Sequence, residues 1–336
     1  MPRTDAVYVL PLRRPAVDDG ELAELAAYLR RLARELPVVV ADGSPPDVRA
    51  RHAASWAGAA RLVAVPPVPP GTNGKVVGVL AGLASTAQPR VVVADDDVRW
   101  DGPSLDRALG LLDDADLVVP QNVFDPMPWH ARWDTARSLV NRAVGHDYAG
   151  TAALRRDALG PGGYDARVLF ENLELERTLV ARGGRVVHAV DLVVPRRPPD
   201  VRRFAEQRVR QAYDSLAQPA RLAVELAVAP VLGAGVLCGV RGRGLTRSAG
   251  WAVLLVLMTG AVVLAEAGRR RAGGTAAFPA TAALWAPAWV VERALCAWLA
   301  LGWWTLGGVP YAGTRLRRAA HPIPALRARA AGRGAS

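Results

Sequence analysis

The chain has 336 residues, with 42 lysines and arginines against 31 aspartates and glutamates, a formal net charge of +11 and 51% hydrophobic residues. That length accommodates one sizeable α/β domain and something smaller. The basic surplus is almost wholly arginine, since Lys75 is the single lysine. No arginine stripe interleaved with aromatics runs through the first half, which argues against a nucleic-acid partner.

In chain order, Met-Pro-Arg-Thr-Asp leads into a strand-like run too short for a signal-peptide core, so the first domain is expected to stay in the cytoplasm. Ala6 to Leu10 reads as a first strand ended by Pro11. Leu22, Leu25, Leu29, Leu32 and Leu36 keep helical spacing on one face, with Asp19 and Gly20 as the start and Pro37 as the stop. Val38 to Ala41 is a second strand, ending in Asp42-Gly43-Ser44. A helix to about Ala60, a strand from Arg61 to Val65 and a proline-rich loop follow. Gly71-Thr72-Asn73-Gly74-Lys75 then opens another helix, and the run Val91-Val92-Val93-Ala94 stops abruptly at Asp95, Asp96 and Asp97. This repeated βα unit predicts an α/β fold with a doubly wound, mostly parallel sheet. Farther on, Leu117 to Val119 reads as a strand, Trp129 to Val144 as a helix and Ala149 to Leu154 as an edge strand. Glu171 to Ala181 reads as a helix, Arg185 to Val194 as a strand ended by Pro195, and Arg202 to Leu216 as a basic helix.

After Gln218-Pro219 the character changes. Leu222 to Val240 is apolar apart from Glu225, and Trp251 to Ala265 is uncharged. With the basic turn Arg241 to Arg247 between them they predict a helical hairpin of two membrane spans. Phe278 to Trp304 is interrupted by Pro279, Pro287, Glu292 and Arg293 and carries Trp285, Trp289, Trp298, Trp303 and Trp304. A buried Glu-Arg pair is costly in hydrocarbon, so this stretch is expected to be interfacial or re-entrant; two core helices of a soluble α domain are the alternative for the hairpin. The expected domains are 1–218, 219–310 and a basic tail, 311–336. Arginines crowd from Arg196 to Arg221 and from Arg315 to Arg333, flanking the apolar part, which points to an anionic membrane surface. With two spans both termini are cytoplasmic; the tail then obeys the positive-inside rule, whereas Arg241, Arg243 and Arg247 do not. Cys238 and Cys296 lie in apolar stretches without metal-ligand spacing and read as small hydrophobes.

Chemistry concentrates at strand ends. In a parallel sheet Asp42 and the Asp95–Asp97 cluster fall along one edge, where ligands of such sheets bind. Crowded carboxylates there suit a hard divalent cation such as Mg²⁺ or Mn²⁺, with phosphate oxygens completing its shell; a solvated acidic turn is the plainer reading. Asp42 in Asp-Gly-Ser-Pro-Pro equally suits an Asx-turn. Lys75 follows a glycine-rich loop at a helix start, where free N–H groups favour phosphate. Neither a Walker loop nor a dinucleotide Gly-x-Gly-x-x-Gly is present. His52, His188 and His321 are isolated and read as structural or exposed, and His130 and His146-Asp147 lack partners at ligand spacing.

The order Asp42-Gly43-Ser44, Asn73-Gly74-Lys75, Asp95-Asp96-Asp97, Phe170-Glu171-Asn172-Leu173-Glu174-Leu175 and Gln207-Arg208-Val209-Arg210 resembles family 2 glycosyltransferases over about the first 215 residues. These are inverting enzymes with the GT-A fold, and membrane-attached members carry helices behind the catalytic domain. The resemblance implies that Asp42 contacts the nucleotide, that Asp95 and Asp97 end an Asp-x-Asp metal and diphosphate motif, and that Gln207 to Arg210 lie against the diphosphate or acceptor. Asp42, Lys75, Asp95, Asp96, Gln207, Arg208 and Arg210 are then the candidates for holding the donor. Two departures stand out. Many members have Glu-Asp where this chain has Glu171-Asn172, that aspartate being their catalytic base, and Asn172 cannot take a proton. Glu171 is adjacent and Glu174 one turn away, so Glu171 is the expected substitute base, favoured as a carboxylate by the helix dipole; the alternative is that both merely serve the helix start. Gln211 stands in place of the tryptophan that usually ends Gln-x-x-Arg-Trp, which weighs against processive synthesis. The resulting expectation is a membrane-associated inverting hexosyltransferase using a nucleotide-diphosphate sugar, Mg²⁺ or Mn²⁺ and a lipid-borne or amphipathic acceptor. A nucleotidyltransferase on a similar sheet and a non-catalytic membrane scaffold are the alternatives.

Overall fold

The computed structural model describes residues 3–333. They divide into two compact units. The first runs to Asn122, resumes from Tyr148 to Arg197 and takes in the chain again from Ala320; the second comprises Val123–Asp147 and Pro198–Ala319.

In the first unit β1 (Ala6–Leu12), α1 (Asp19–Leu32), β2 (Val38–Asp42), α2 (Pro46–Ser55), β3 (Arg61–Ala64), α3 (Gly74–Ala84) and β4 (Arg90–Ala94) alternate as the pattern predicts. After α4 (Gly102–Leu111) comes β5 (Leu117–Phe124), whose last residues belong to the second unit, as does α5 (Trp129–Val144). Then follow β6 (Thr151–Arg155), the short α6 (Arg156–Leu159), α7 (Glu171–Ala181) and β7 (Val186–Arg196). The seven strands are ordered β3-β2-β1-β4-β6-β5-β7. β1 pairs in parallel with β2 and β4, β2 with β3, and β6 is antiparallel to β4 and β5. The sheet is thus doubly wound and mostly parallel.

Alternation within the strands builds two cores. Tyr8, Leu10, Val92 and Ala94 face one, beside Leu29 and Trp100; Val7, Val9, Val91 and Val93 face the other, beside Val79 and Leu179. Two expectations are corrected. β1 continues through Pro11, which lies past Val9, the last residue β4 pairs, so its missing N–H leaves no bond unmade on that side. β6 is interior, not an edge: Ala153 enters one core and Ala152 and Leu154 the other, which needs cover on both faces.

The second unit holds α5, α8 (Val201–Tyr213), α9 (Pro219–Arg241), α10 (Leu245–Arg270), α11 (Ala286–Thr305) and a hairpin of β8 (Val309–Tyr311) and β9 (Thr314–Leu316). Helix α12 (Ile323–Arg333) returns to the first unit. Gly235 and Gly239, one turn apart on α9, meet Gly250 of α10; a Cβ on Gly250 would lie 2.4 Å from the Gly239 nitrogen and 2.6 Å from the Gly235 oxygen. Small residues at this spacing let two apolar helices approach backbone to backbone. Three segments are long and apolar enough to cross a membrane: Pro219–Arg241, Leu245–Ala276 and Ala280–Thr305. The third was expected from sequence to be non-spanning.

A polar network anchors α5. Arg137 reaches Asp134 at 3.2 Å and Asp147 at 2.6 Å, and Asp147 also accepts from Ser138 and Asn141. Burial alone would raise both carboxyls, but Arg137, with Arg208 at Asp134 and the Ser138 and Asn141 donors at Asp147, outweighs it and holds both below the ordinary range. A depressed carboxyl stabilises the fold above its unfolded pKa of about 4, and this contribution is lost as pH falls through the lower folded value. Acid unfolding of Asp147→Asn in detergent is therefore expected to be less steep than wild type; an identical acid limb would contradict it.

Candidate functional site

The strand order reverses between β1 and β4, and the carboxyl ends of both meet there. This switch point is where doubly wound sheets offer a crevice to ligands. Asp95, Asp96 and Asp97 follow β4 directly, and Arg14 follows β1. The turn is tied on both sides: Asp95 N donates to Gly150 O at 2.9 Å, Arg197 N donates to Asp97 O at 2.7 Å, and Val98 bridges to Arg196.

Each aspartate has its own cation, which the sequence did not disclose. Lys75 Nζ lies 2.6 Å from Asp95 Oδ1, Arg14 Nη2 2.6 Å from Asp96 Oδ2, and Arg196 Nη2 2.6 Å from Asp97 Oδ2. Side chains thus supply the positive charge that crowding demands. They do not use up the carboxylates. Asp97 Oδ1 is buried and accepts no hydrogen bond. Burial raises the Asp97 carboxyl; Arg196 opposes this, while Asp95 and Asp96 add to it. A hard, oxygen-rich turn with an unused buried carboxylate oxygen fits a divalent cation, with Arg196 orienting the ligand from behind.

Lys75 joins this turn to α7. Its ammonium also lies 2.8 Å from Glu171 Oε1, and a fifth of the side chain remains open. Burial would lower the ammonium, but Asp95 and Glu171 together raise it well above the ordinary range. Asn73 caps α3 through its Oδ1, which accepts from Lys75 N, while its Nδ2 donates to Val168 O, Leu169 O and Glu171 Oε2, each at 3.3 Å. The Asn-Gly-Lys loop therefore fixes the start of α7, an order the sequence hinted at only through resemblance.

The remaining expected residues separate. Asp42 is fully buried; its Oδ1 accepts from Ser44 N at 2.9 Å as in an Asx-turn, and its Oδ2 lies 2.7 Å from His52 Nδ1. His52, read as isolated, is thus buried on Asp42 and stacked on Trp56. Ser44 Oγ accepts from Arg14 N at 2.9 Å, so the Asp42 turn also steadies the cation on Asp96. Asn172 donates to Ala149 O at 3.0 Å. Glu174, the candidate one turn from Glu171, is wholly buried with both oxygens on His321. Arg208, expected against the diphosphate or the acceptor, is buried in the second unit with its guanidinium 3.0 Å from Asp134 and over the Phe204 ring. Both pairings share one feature: a residue facing inward on an amphipathic helix is matched by a partner far away in sequence. Gln207 and Arg210, on the same helix, are half-buried.

Gly150 matters through space. A Cβ there would sit 2.6 Å from Asp95 Oδ2. Gly150→Ala is expected to push Asp95 off Lys75 and weaken Mn²⁺ binding about tenfold, roughly 1.4 kcal/mol, measured by titration calorimetry; unchanged affinity would show that Asp95 does not share the cation.

No known family profile and no curated protein matches the chain. Among solved structures, a mannosyltransferase from Pyrobaculum calidifontis in complex with GDP-Man and Mn²⁺ is similar at 19% identity over 88% of this chain and 87% of that one, with a TM-score of 0.49. Glucosyl-3-phosphoglycerate synthase from Mycobacterium tuberculosis, solved with Mn²⁺, UDP and phosphoglyceric acid, is 19% identical over 60% of this chain and 73% of its own, with a TM-score of 0.38. S. aureus TarS 1–349 with UDP-GlcNAc is 13% identical over 60% of each chain, with a TM-score of 0.41.

Proposed function

We propose that the protein is a membrane-associated inverting glycosyltransferase with a GT-A-type catalytic unit, moving a hexose from a nucleotide-diphosphate sugar to a hydroxyl of a lipid-borne acceptor. One observation carries the reading: at the switch point a triplet of carboxylates, three matching cations and a further carboxylate, Glu171, form one connected set. Asp97 and Asp95 would hold Mg²⁺ or Mn²⁺, which when bound supplies positive charge against the departing diphosphate. Lys75, Arg14 and Arg196 stand close enough to the same edge to neutralise phosphate oxygens. The Asp42 turn shapes the side of the crevice where the nucleotide lies.

Glu171 is the proton acceptor in this reading. The acceptor oxygen forms its bond to the anomeric carbon as the bond from that carbon to the diphosphate oxygen breaks, and the hydroxyl proton passes to Glu171. Attack from the face opposite the leaving group inverts the anomeric centre. Asn172, held on Ala149 O, positions the helix start and takes no proton. The apolar faces of α9 and α10, where Val236, Leu237, Leu255 and Val256 are exposed, support the membrane association and with it a lipid-borne acceptor.

Membranes carrying the protein, given labelled nucleotide sugars and Mn²⁺, provide the test. Glu171→Gln is expected to lower turnover by about a hundred- to ten-thousandfold. Turnover that survives it would overturn the base assignment and leave the class standing, whereas no turnover of any sugar nucleotide by the wild type would favour a scaffold.

A further inference from the structure

The chain leaves the first unit after Arg197 and re-enters it at Ala320. The re-entry is a specific seat on α7. Glu174 Oε2 accepts from His321 N at 2.7 Å and its Oε1 lies 2.9 Å from His321 Nδ1, while Arg177 Nη1 donates to His321 O at 3.0 Å. Arg329 Nη1 donates to Asp165 Oδ2 at 2.9 Å, and Leu326 of α12 is buried. A fully buried carboxylate whose two oxygens are both taken by one distant residue is a fixed anchor. The helix it anchors begins at Glu171.

We propose that the segment from Ala320 to Arg333 is a strap of the catalytic unit, seated on α7 through Glu174 and His321, and that it forces the chain to cross the membrane an even number of times. The proposal rests on the membrane association inferred above. Among the described residues the first unit contains none of the segments long enough to cross, so the pieces of chain packed into it lie on one side of a bilayer, and three crossings between Arg197 and Ala320 are excluded. The basic tail is then a docked part of the fold and not a free membrane-binding arm.

Of the three apolar segments, Ala280–Thr305 is the one that stays on the catalytic side. Glu292 and Arg293 fall at its midpoint, where a charge costs most in hydrocarbon. Within the protein 39% of its most apolar stretch is buried, against 17% for each of the other two. Helices α9 and α10, joined by the glycine contact, form the crossing hairpin. Arg241, Arg243 and Arg247 then lie across the bilayer from the sheet, against the usual charge bias.

The test uses the full chain with Cys238→Ser and Cys296→Ser, single cysteines replacing Ala87, Arg243 or Arg318, and a membrane-impermeant maleimide on sealed vesicles of both orientations. Ala87→Cys and Arg318→Cys are expected to label from one face and Arg243→Cys only from the other. Labelling of Arg318→Cys from the face opposite Ala87→Cys, or of Arg243→Cys from the same face, overturns the topology. Release of the protein by alkaline carbonate would overturn the membrane association itself. Trypsin is expected to cut after Arg327 or Arg329 at least tenfold faster in Glu174→Gln than in wild type, with the labelling pattern kept; an unchanged cleavage rate would overturn the anchor.

Discussion

Asp97→Ala is expected to lower sugar transfer by at least about a thousandfold. A bound divalent cation contributes several kcal/mol of charge stabilisation, and each 1.36 kcal/mol is about tenfold in rate. Asp97 is proposed for that role because its Oδ1 is buried with no hydrogen-bond partner while Oδ2 is fixed by Arg196 Nη2 at 2.6 Å and Nε at 3.2 Å. The turn itself should survive, since Arg197 N binds the Asp97 backbone oxygen and not its side chain. Asp96→Ala is the internal comparison: it removes one of two partners of Arg14, which keeps Glu21, and leaves the Asp95 and Asp97 contacts in place, so its loss should be at least tenfold smaller. Initial rates with saturating donor, alongside circular dichroism of both variants, decide the matter. A loss under tenfold in Asp97→Ala would remove the cation from this turn.

The second large effect is on stability. Gly268 of α10 lies against α5, and a Cβ there would sit 1.8 Å from the Leu139 oxygen and 2.9 Å from the Ala143 nitrogen. Those neighbours are helix backbone and cannot swing aside as a side chain would. Arg142 Nε also donates to Gly268 O at 3.1 Å, so sliding the helices apart breaks a buried bond as well. Gly268→Ala should cost about 3 kcal/mol or more, the upper end of overpacking effects. Gly260, on the same helix, has nothing within 4 Å of its Cβ position. Gly260→Ala should instead gain up to about 1 kcal/mol through helix propensity. Melting temperatures of the two variants in one detergent give the comparison; equal shifts would refute close packing at Gly268.

What the sequence made legible was whatever depends on neighbours in the chain. The βα alternation, the strand end at Asp95 and the helix limits Trp129–Val144 and Glu171–Ala181 follow from period, proline and caps, and the structure reproduces those helix limits. The Asx-turn at Asp42 is one of the two readings that Asp-Gly-Ser-Pro-Pro allows. What escaped was long-range pairing. Nothing near Asp97 announces Arg196, 99 residues away, and nothing in the pattern of α7 announces His321, 147 residues from Glu174. Local reasoning therefore places Glu174 only beside Glu171 at the helix start and leaves His321 and His52 isolated. β6 was read as an edge because a short run of alanines carries little β signal. The composition of the tail likewise gave its charge but not its place in the sheet-bearing unit.

The position of Lys75 has a chemical consequence of its own. As the single lysine it is the one ε-amine that an acylating reagent can find in the chain. Clasped between Asp95 and Glu171 with its ammonium strongly favoured, it is a poor nucleophile at neutral pH. Any ligand that draws one carboxylate away alters that reactivity, and no other lysine adds background. Acylation at Lys75, located by peptide mass after digestion, thus works as a native footprint of site occupancy that needs no engineered label.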